Sequence, residues 1–143
     1  NQDYLLTIGI PTYNGETPIR DSIESIISQF SDINMSNVEL LISDNNSNDL
    51  TVDIANKYKL LYPNNIRIVN NQQDDLKLDG NLLNLFKNAK GQFVWILSDD
   101  DVLEKIAINY VISIIKKYKN DLGVIMTNYS ECDYQLQYKK KKS

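Results

Sequence analysis

The sequence predicts an α/β fold, a doubly wound and mainly parallel sheet flanked by helices. Short apolar runs alternate at least four times with stretches whose apolar residues recur at helical spacing. The runs are almost continuously apolar, the pattern of strands buried on both faces of a parallel sheet. Each intervening helix can supply the right-handed crossover that parallel strands need. With 143 residues the chain is long enough for one domain with a sizeable core.

The first run, Leu5-Leu6-Thr7-Ile8-Gly9-Ile10, reads as a buried strand closed by Pro11. Ile19, Ile23, Ile26, Ile27 and Phe30 then stripe a helix, with Thr17 as its cap and Pro18 at its first position. Val38 to Ser43 is a second strand. Leu50, Ile54, Tyr58 and Leu61 mark a second helix, capped by Asp49. Ile66 to Val69 is a short third strand. Leu82, Leu85, Phe86 and Ala89 mark a third helix, closed by Gly91. Phe93 to Leu97 is a fourth strand. Ala107, Tyr110, Val111, Ile114, Ile115 and Tyr118 stripe a fourth helix, and Gly123 to Thr127 reads as a fifth strand.

Composition excludes several classes of function. The formal net charge of −4 argues against a nucleic-acid binder. Cys132 is the only cysteine, so no intrachain disulfide can form, which fits a reducing cytoplasm. The absence of histidine excludes His-ligated zinc and Ser-His-Asp triads, so any metal must sit on oxygens. No apolar run is long enough to cross a bilayer, and Asn1 to Tyr4 carries no signal segment. The basic run Lys139 to Lys142 reads as a solvated tail, or alternatively as a weak contact with an anionic membrane surface.

In an open α/β sheet, ligands bind beyond the carboxyl ends of the strands. Four polar loops fall there: Pro11 to Gly15, Asp44 to Asp49, Asn70 to Gly80 and Ser98 to Asp101. The strongest single feature is Asp99-Asp100-Asp101. Unit charges about 4 Å apart repel by about 1 kcal/mol in water and by several times that in a drier site. A bound divalent cation removes that repulsion, and carboxylate oxygens suit Mg²⁺ or Mn²⁺. The alternative is an acidic cluster that simply precedes a helix and favours its dipole. Asp44 and Asn45 can hydrogen-bond the edge of a pyrimidine base, or form an Asx turn instead. Thr12 and Tyr13 are candidates for contact with base or ribose. No Gly-x-Gly-x-x-Gly or Walker-type loop is present.

Four motifs in order, Ile10-Pro11-Thr12-Tyr13-Asn14, Ser43-Asp44-Asn45-Asn46-Ser47-Asn48-Asp49, Ala89-Lys90-Gly91-Gln92-Phe93-Val94 and Leu97-Ser98-Asp99-Asp100-Asp101, resemble the family 2 glycosyltransferases of the GT-A fold. The resemblance runs from Leu5 to about Met126. It implies a UDP-sugar donor, a glycan or lipid-linked acceptor and a Mg²⁺ or Mn²⁺ cofactor. Pro11, Thr12 and Tyr13 would line the nucleoside pocket, and Asp44 or Asn45 would bind the uracil edge. Asp99 would lie near the ribose, Asp100 would be the principal metal ligand with Asp101 assisting, and Lys77 would face the diphosphate. Two positions depart from the family pattern. Asn46 stands where the family has Gly, although Asn can still adopt a left-handed turn. Ser98 replaces the first Asp of the Asp-x-Asp motif, unless Asp99 and Asp101 are the pair.

The resemblance further implies a nucleotide-sugar-binding domain over residues 1–128. Residues 129–143 would form a polar, basic tail or the start of an acceptor-binding part. The general base would lie outside these residues, because Glu131 and Asp133 follow the metal motif too closely. The expected whole is a longer cytoplasmic enzyme, with the inner face of a membrane as a further expected location. A non-catalytic nucleotide-binding module, or another α/β protein with an acidic pocket such as a nucleotidyltransferase, are the rival readings.

Overall fold

The structure, a computed structural model, describes residues 4–71 and 77–121 and the single positions Gly123, Ile125, Thr127, Ser130, Glu131 and Gln135. The elements run β1 (Tyr4–Thr12), α1 (Ile19–Ile27), β2 (Val38–Asp44), α2 (Thr51–Leu61), β3 (Ile66–Asn70), α3 (Lys77–Asn88), β4 (Gly91–Ile96) and α4 (Ala107–Tyr118). Two short 3-10 turns, Phe30–Asp32 and Met35–Asn37, join α1 to β2. Among the described residues the strands form one parallel sheet in the order β3-β2-β1-β4. This is the parallel, helix-flanked sheet that the sequence predicts.

β1 lies inside the sheet, paired with β2 on one side and β4 on the other. One face of the sheet presents Leu6, Ile8, Ile10, Leu40 and Ile42, all buried. They form a single core with Ile19, Ile23 and Ile26 of α1, Ile54 and Tyr58 of α2, and Ile108, Val111, Ile112 and Ile115 of α4. Each fully buried aliphatic side chain stabilises the fold by about 1.5–3 kcal/mol relative to exposure. α3 covers the other face. Its Leu85 is fully buried and sits over Gly9, where an added Cβ would come within 2.6 Å of Leu85 Cδ2. Gly9 is therefore the small position that lets α3 approach β1.

β1 continues through Pro11 to Thr12 instead of stopping at Pro11. The Gly9 carbonyl accepts Leu97 N–H, so residues of that parity, Pro11 included, face β4. β4 ends at Ile96, and the missing N–H of Pro11 therefore removes no ladder bond. Gly91 does not close α3. It begins β4, and a Cβ there would lie 2.3 Å from the backbone N of Thr7. Thr17 does not cap α1: Pro18 is the capping position, without a side-chain hydrogen bond, and Gly15 C=O accepts Ile19 N–H.

The helical stripes are rotated from the expected ones. Leu50 and Leu61 in and before α2, Phe86 in α3, and Tyr110 and Tyr118 in α4 are exposed. Thr51, Asn81, Ile108 and Ile112 take the inward places. Phe30 is buried as expected, but from a 3-10 turn beyond the end of α1, where it meets Tyr62 edge to face with ring centroids 5.3 Å apart. Within the expected fifth strand, Gly123, Ile125 and Thr127 are not in a strand, and the other positions lie outside the described residues. Lys139 to Lys142 and Cys132 lie outside them too.

The end of the sheet remote from the four loops carries a buried polar lock. Glu39 of β2 is fully buried and accepts hydrogen bonds from Thr7 Oγ1 at 2.6 Å, Lys90 N at 2.6 Å and Arg67 Nη1 at 2.9 Å. Arg67 Nη2 also donates to Asn88 C=O at 2.8 Å, which fastens the end of α3 to β3. One carboxylate therefore ties β1, β2, β3 and the entry to β4. Removing it strands the Arg67 guanidinium and two further donors. Glu39→Ala should lose about 3–5 kcal/mol of stability, read as a lowered urea midpoint. A loss below about 1 kcal/mol, the level of a surface pair, would show that the lock contributes little.

Candidate functional site

The strand order places the candidate site. The chain steps outward from β1 to β2 and β3, then returns to the opposite flank of β1 as β4. Ligands in such sheets bind at the carboxyl ends where the order reverses. There β1 delivers Thr12, β2 delivers Asp44, and the turn after β4 delivers the acidic run.

That turn is closed by Asp101 N–H donating to Ser98 C=O at 3.1 Å, and the Asp101 carboxylate in return accepts Ser98 N–H at 3.0 Å. Asp99 and Asp100 occupy the middle of the turn and point differently. Asp99 is half-buried and accepts Thr12 Oγ1–H at 2.7 Å across the junction of β1 and β4. Asp100 is exposed at the tip. Gly15 allows this contact, because a Cβ there would lie 2.4 Å from Asp99 Oδ2 and 2.7 Å from Thr12 Oγ1. Burial pushes the Asp99 carboxyl above the usual carboxylate range. The Thr12 hydrogen bond opposes the rise, and the charges of Asp100 and Asp101 add to it.

The acidic run does not serve a helix terminus. α4 begins at Ala107, and its first turn holds no acidic residue. Among the described residues no three carboxylates converge on one point. This donor set does not make a cage of protein ligands. It fits a hard cation that takes one or two carboxylates and completes its shell with phosphate and water.

The loops after β1 and β2 form one lattice. Asn14 N–H donates to Ser47 Oγ at 2.8 Å, and Asn48 N–H donates to Asn14 Oδ1 at 3.0 Å. Gly15 N–H donates to Thr51 Oγ1 at 2.8 Å. Glu16 N–H donates to Asp49 Oδ2 at 3.1 Å, and Leu50 N–H donates to Glu16 Oε2 at 2.9 Å. Asn14 and Asn46 adopt left-handed φ of 49° and 59°, so Asn46 supplies the turn in place of Gly. Asp49 does not cap α2: Leu50 is the capping position, without a side-chain hydrogen bond, and Asp49 accepts Thr51 N–H at 2.9 Å in an Asx turn just ahead of the helix.

Asp44 and Asn45 differ in what they leave available. Asp44 is fully buried, and its carboxylate accepts Ser47 N–H at 2.9 Å and Ser47 Oγ–H at 2.5 Å, a local turn. Asn45 is 8% exposed, and its Oδ1 has no hydrogen-bond partner among the described residues. Asn45 N–H donates to Thr12 C=O at 2.9 Å, which sets this residue beside the end of β1. Pro11 is half-buried within β1, and Tyr13 is 60% exposed at the lip of the site. Lys77, exposed, begins α3 with φ 49°. Thr12, Gly15 and Asp99 are thus in mutual contact, with Asn45 beside Thr12. Sequence reasoning missed Asn81 of α3, a 3%-exposed amide bonded to the ends of β1 and β2. Its only trace in the sequence is a polar residue with leucines, Leu78 and Leu85, three residues before and four after it.

Residues 7–142 match the family described as Glycosyl transferase family 2. The chain is 28% identical to the minor teichoic acid biosynthesis protein GgaB of Bacillus subtilis, over 86% of this chain and 13% of that protein. It is 32% identical to the Escherichia coli protein named UDP-Glc:alpha-D-GlcNAc-diphosphoundecaprenol beta-1,3-glucosyltransferase WfgD, over 89% of this chain and 46% of that protein. The chain therefore spans less than half the length of either relative. Its fold superposes on S. aureus TarS 1–349 in complex with UDP-GlcNAc with a TM-score of 0.70 at 23% identity, over 85% of this chain and 37% of that one.

The raised Asp99 carboxyl has a signed consequence. A raised folded pKa means that the folded state holds the proton more tightly than the unfolded chain does. That contribution to stability is full below the unfolded pKa and is lost as pH rises through the folded pKa. Asp99→Asn should therefore gain stability over the parent as pH rises through this window, while Thr12→Val should deepen the loss. Urea midpoints between pH 3 and 8 in metal-free buffer measure both, and parallel curves for parent and Asp99→Asn would refute the assignment.

Proposed function

The chain belongs to glycosyl transferase family 2, and on that premise we propose that it is the donor-binding part of an enzyme that transfers sugar from a UDP-sugar to a glycan or lipid-linked hydroxyl. The observation that carries the reading is the contact of Thr12 with Asp99 across β1 and β4, with Asp100 exposed beside it. It sets a desolvated carboxylate for a ribose next to an open carboxylate for a cation, at the carboxyl end of the sheet.

In this proposal Asn45 reads the base. Its buried Oδ1 lacks a donor among the described residues, and a uracil ring presents one at N3–H. Asp44 shapes the loop instead, holding Ser47 and through it the backbone of Asn14. Thr12 and Asp99 border the ribose, and Tyr13 offers its exposed ring for stacking on the base. Pro11 keeps the floor of the pocket rigid, and Lys77 faces the diphosphate from the start of α3. Asp100, with Asp101 beside it, would hold Mg²⁺ or Mn²⁺. When bound, that ion neutralises the charge on the departing diphosphate.

The transfer itself is proposed as a single inverting displacement. The acceptor oxygen bonds to the anomeric carbon as the carbon–phosphate-oxygen bond breaks, and the electron pair leaves with UDP. The acceptor proton passes to a base on an acceptor-binding part outside residues 1–143. A lipid-linked acceptor would bring the enzyme to the inner face of a membrane. No helix among the described residues is long and apolar enough to cross one.

Calorimetric titration with UDP, with and without Mn²⁺, tests the reading. UDP should bind, and Mn²⁺ should tighten binding. Asp100→Ala should abolish the Mn²⁺ effect while leaving a weaker metal-free affinity. Asn45→Ala should weaken UDP binding about tenfold with or without metal, as expected for one hydrogen bond in a dry site. A folded protein that binds no UDP under either condition refutes the proposal.

A further inference from the structure

We infer that Asn81 is a positioning residue for the donor pocket: one buried amide on α3 sets the spacing of the loops that carry Thr12 and Asn45. The inference rests on the nucleotide reading above, although its geometry stands independently.

Asn81 lies in the first half of α3, facing the carboxyl ends of the strands. Its Oδ1 accepts Ser43 Oγ–H at 2.7 Å and Asn71 Nδ2–H at 3.1 Å. Its Nδ2 donates to Ser43 C=O at 3.0 Å and to Thr12 C=O at 3.4 Å. Both acceptor sites and both donors are engaged, so the amide has one satisfied orientation. Rotated by half a turn, its oxygen would face two carbonyl oxygens.

Each of the four contacts adjoins a residue of the proposed pocket. Thr12 carries the hydroxyl that meets Asp99, and its carbonyl also accepts Asn45 N–H. Ser43 precedes Asp44 and Asn45. Asn71 follows β3, and its N–H donates to Asp44 C=O at 2.9 Å while its Oδ1 accepts Asn84 Nδ2–H at 2.5 Å. The ends of β1, β2 and β3 thus converge on one side chain. Docking α3 does not need this amide, because Leu85 already packs beneath Gly9. An apolar residue at position 81 would hold the helix to the sheet without fixing where the strand ends sit. Directional bonds are what a fixed spacing requires.

A second buried amide provides the control. Asn65 is 6% exposed and donates to Met35 C=O at 2.7 Å and Val38 C=O at 2.8 Å, at the opposite end of the sheet. Asn65→Ala and Asn81→Ala should both lower stability. Only Asn81→Ala should weaken UDP binding, by about tenfold, with Asn65→Ala within about twofold of the parent. Amide hydrogen exchange gives a readout that needs no nucleotide. The Asn45 and Ser47 N–H groups should exchange faster in Asn81→Ala and at the parent rate in Asn65→Ala, after correction for global stability. Ser43→Ala, which removes one donor to Asn81, should show the same direction with a smaller size if Asn81→Ala fails to fold. Equal loop exchange in the two variants overturns the inference. A parent that binds no UDP refutes the nucleotide reading alone, and the exchange rates then still decide whether Asn81 spaces the loops.

Discussion

A strand paired on both edges and covered on both faces has almost no freedom to move. β1 is that strand: β2 and β4 flank it, the main core packs on one face and α3 on the other. Its sequence meets the constraint residue by residue, with large aliphatics toward α1 and α4 and Gly9 where α3 must come close. Thr7 joins the Glu39 lock at one end, and Thr12 meets Asp99 at the other. Everything proposed for the site hangs from the end of this strand. Its stiffness is what turns a polar loop into a defined surface.

The molecule separates its two polar investments. The buried charge of Glu39 is fully paired and lies away from the loops, where its task is to hold strands together. The carboxylates near the site are arranged in the opposite way. They stand next to one another in one turn, and one of them is lifted toward its neutral form by burial.

The fold was readable because near-continuous apolar strands and helical spacing agree along most of the chain. The strand cores came through within a residue or two, and Asp99, Asp100 and Asn45 were visible as polar residues at strand exits. The errors have physical causes. Gly91 looked like a helix terminator, but close backbone approach to Thr7 explains it better. Leu61, Phe86, Tyr110 and Tyr118 looked like core because apolar residues were counted inward wherever the period allowed, while Thr51 and Asn81 were passed over as polar. A buried amide with four partners is invisible until its partners, scattered over three strands, are brought together. Likewise the sequence left Asp44 and Asn45 equivalent, and only the hydrogen bonds to Ser47 separate them.

The lattice between the first two loops bears on how this protein ages. Asn14-Gly15 is the dipeptide most prone to spontaneous deamidation, in which the glycine nitrogen attacks the asparagine side-chain carbon and closes a succinimide ring. Here the Gly15 N–H is held by Thr51 and the Asn14 side chain is anchored to the second loop through Asn48, so nitrogen and side chain are both fixed and not free to close the ring. The folded state thereby shields its own chemistry-prone turn. Once the loops part, conversion to aspartate or isoaspartate would place a new negative charge, or an extra backbone carbon, in the loop beside the proposed pocket. Damage at this position would therefore record time spent unfolded.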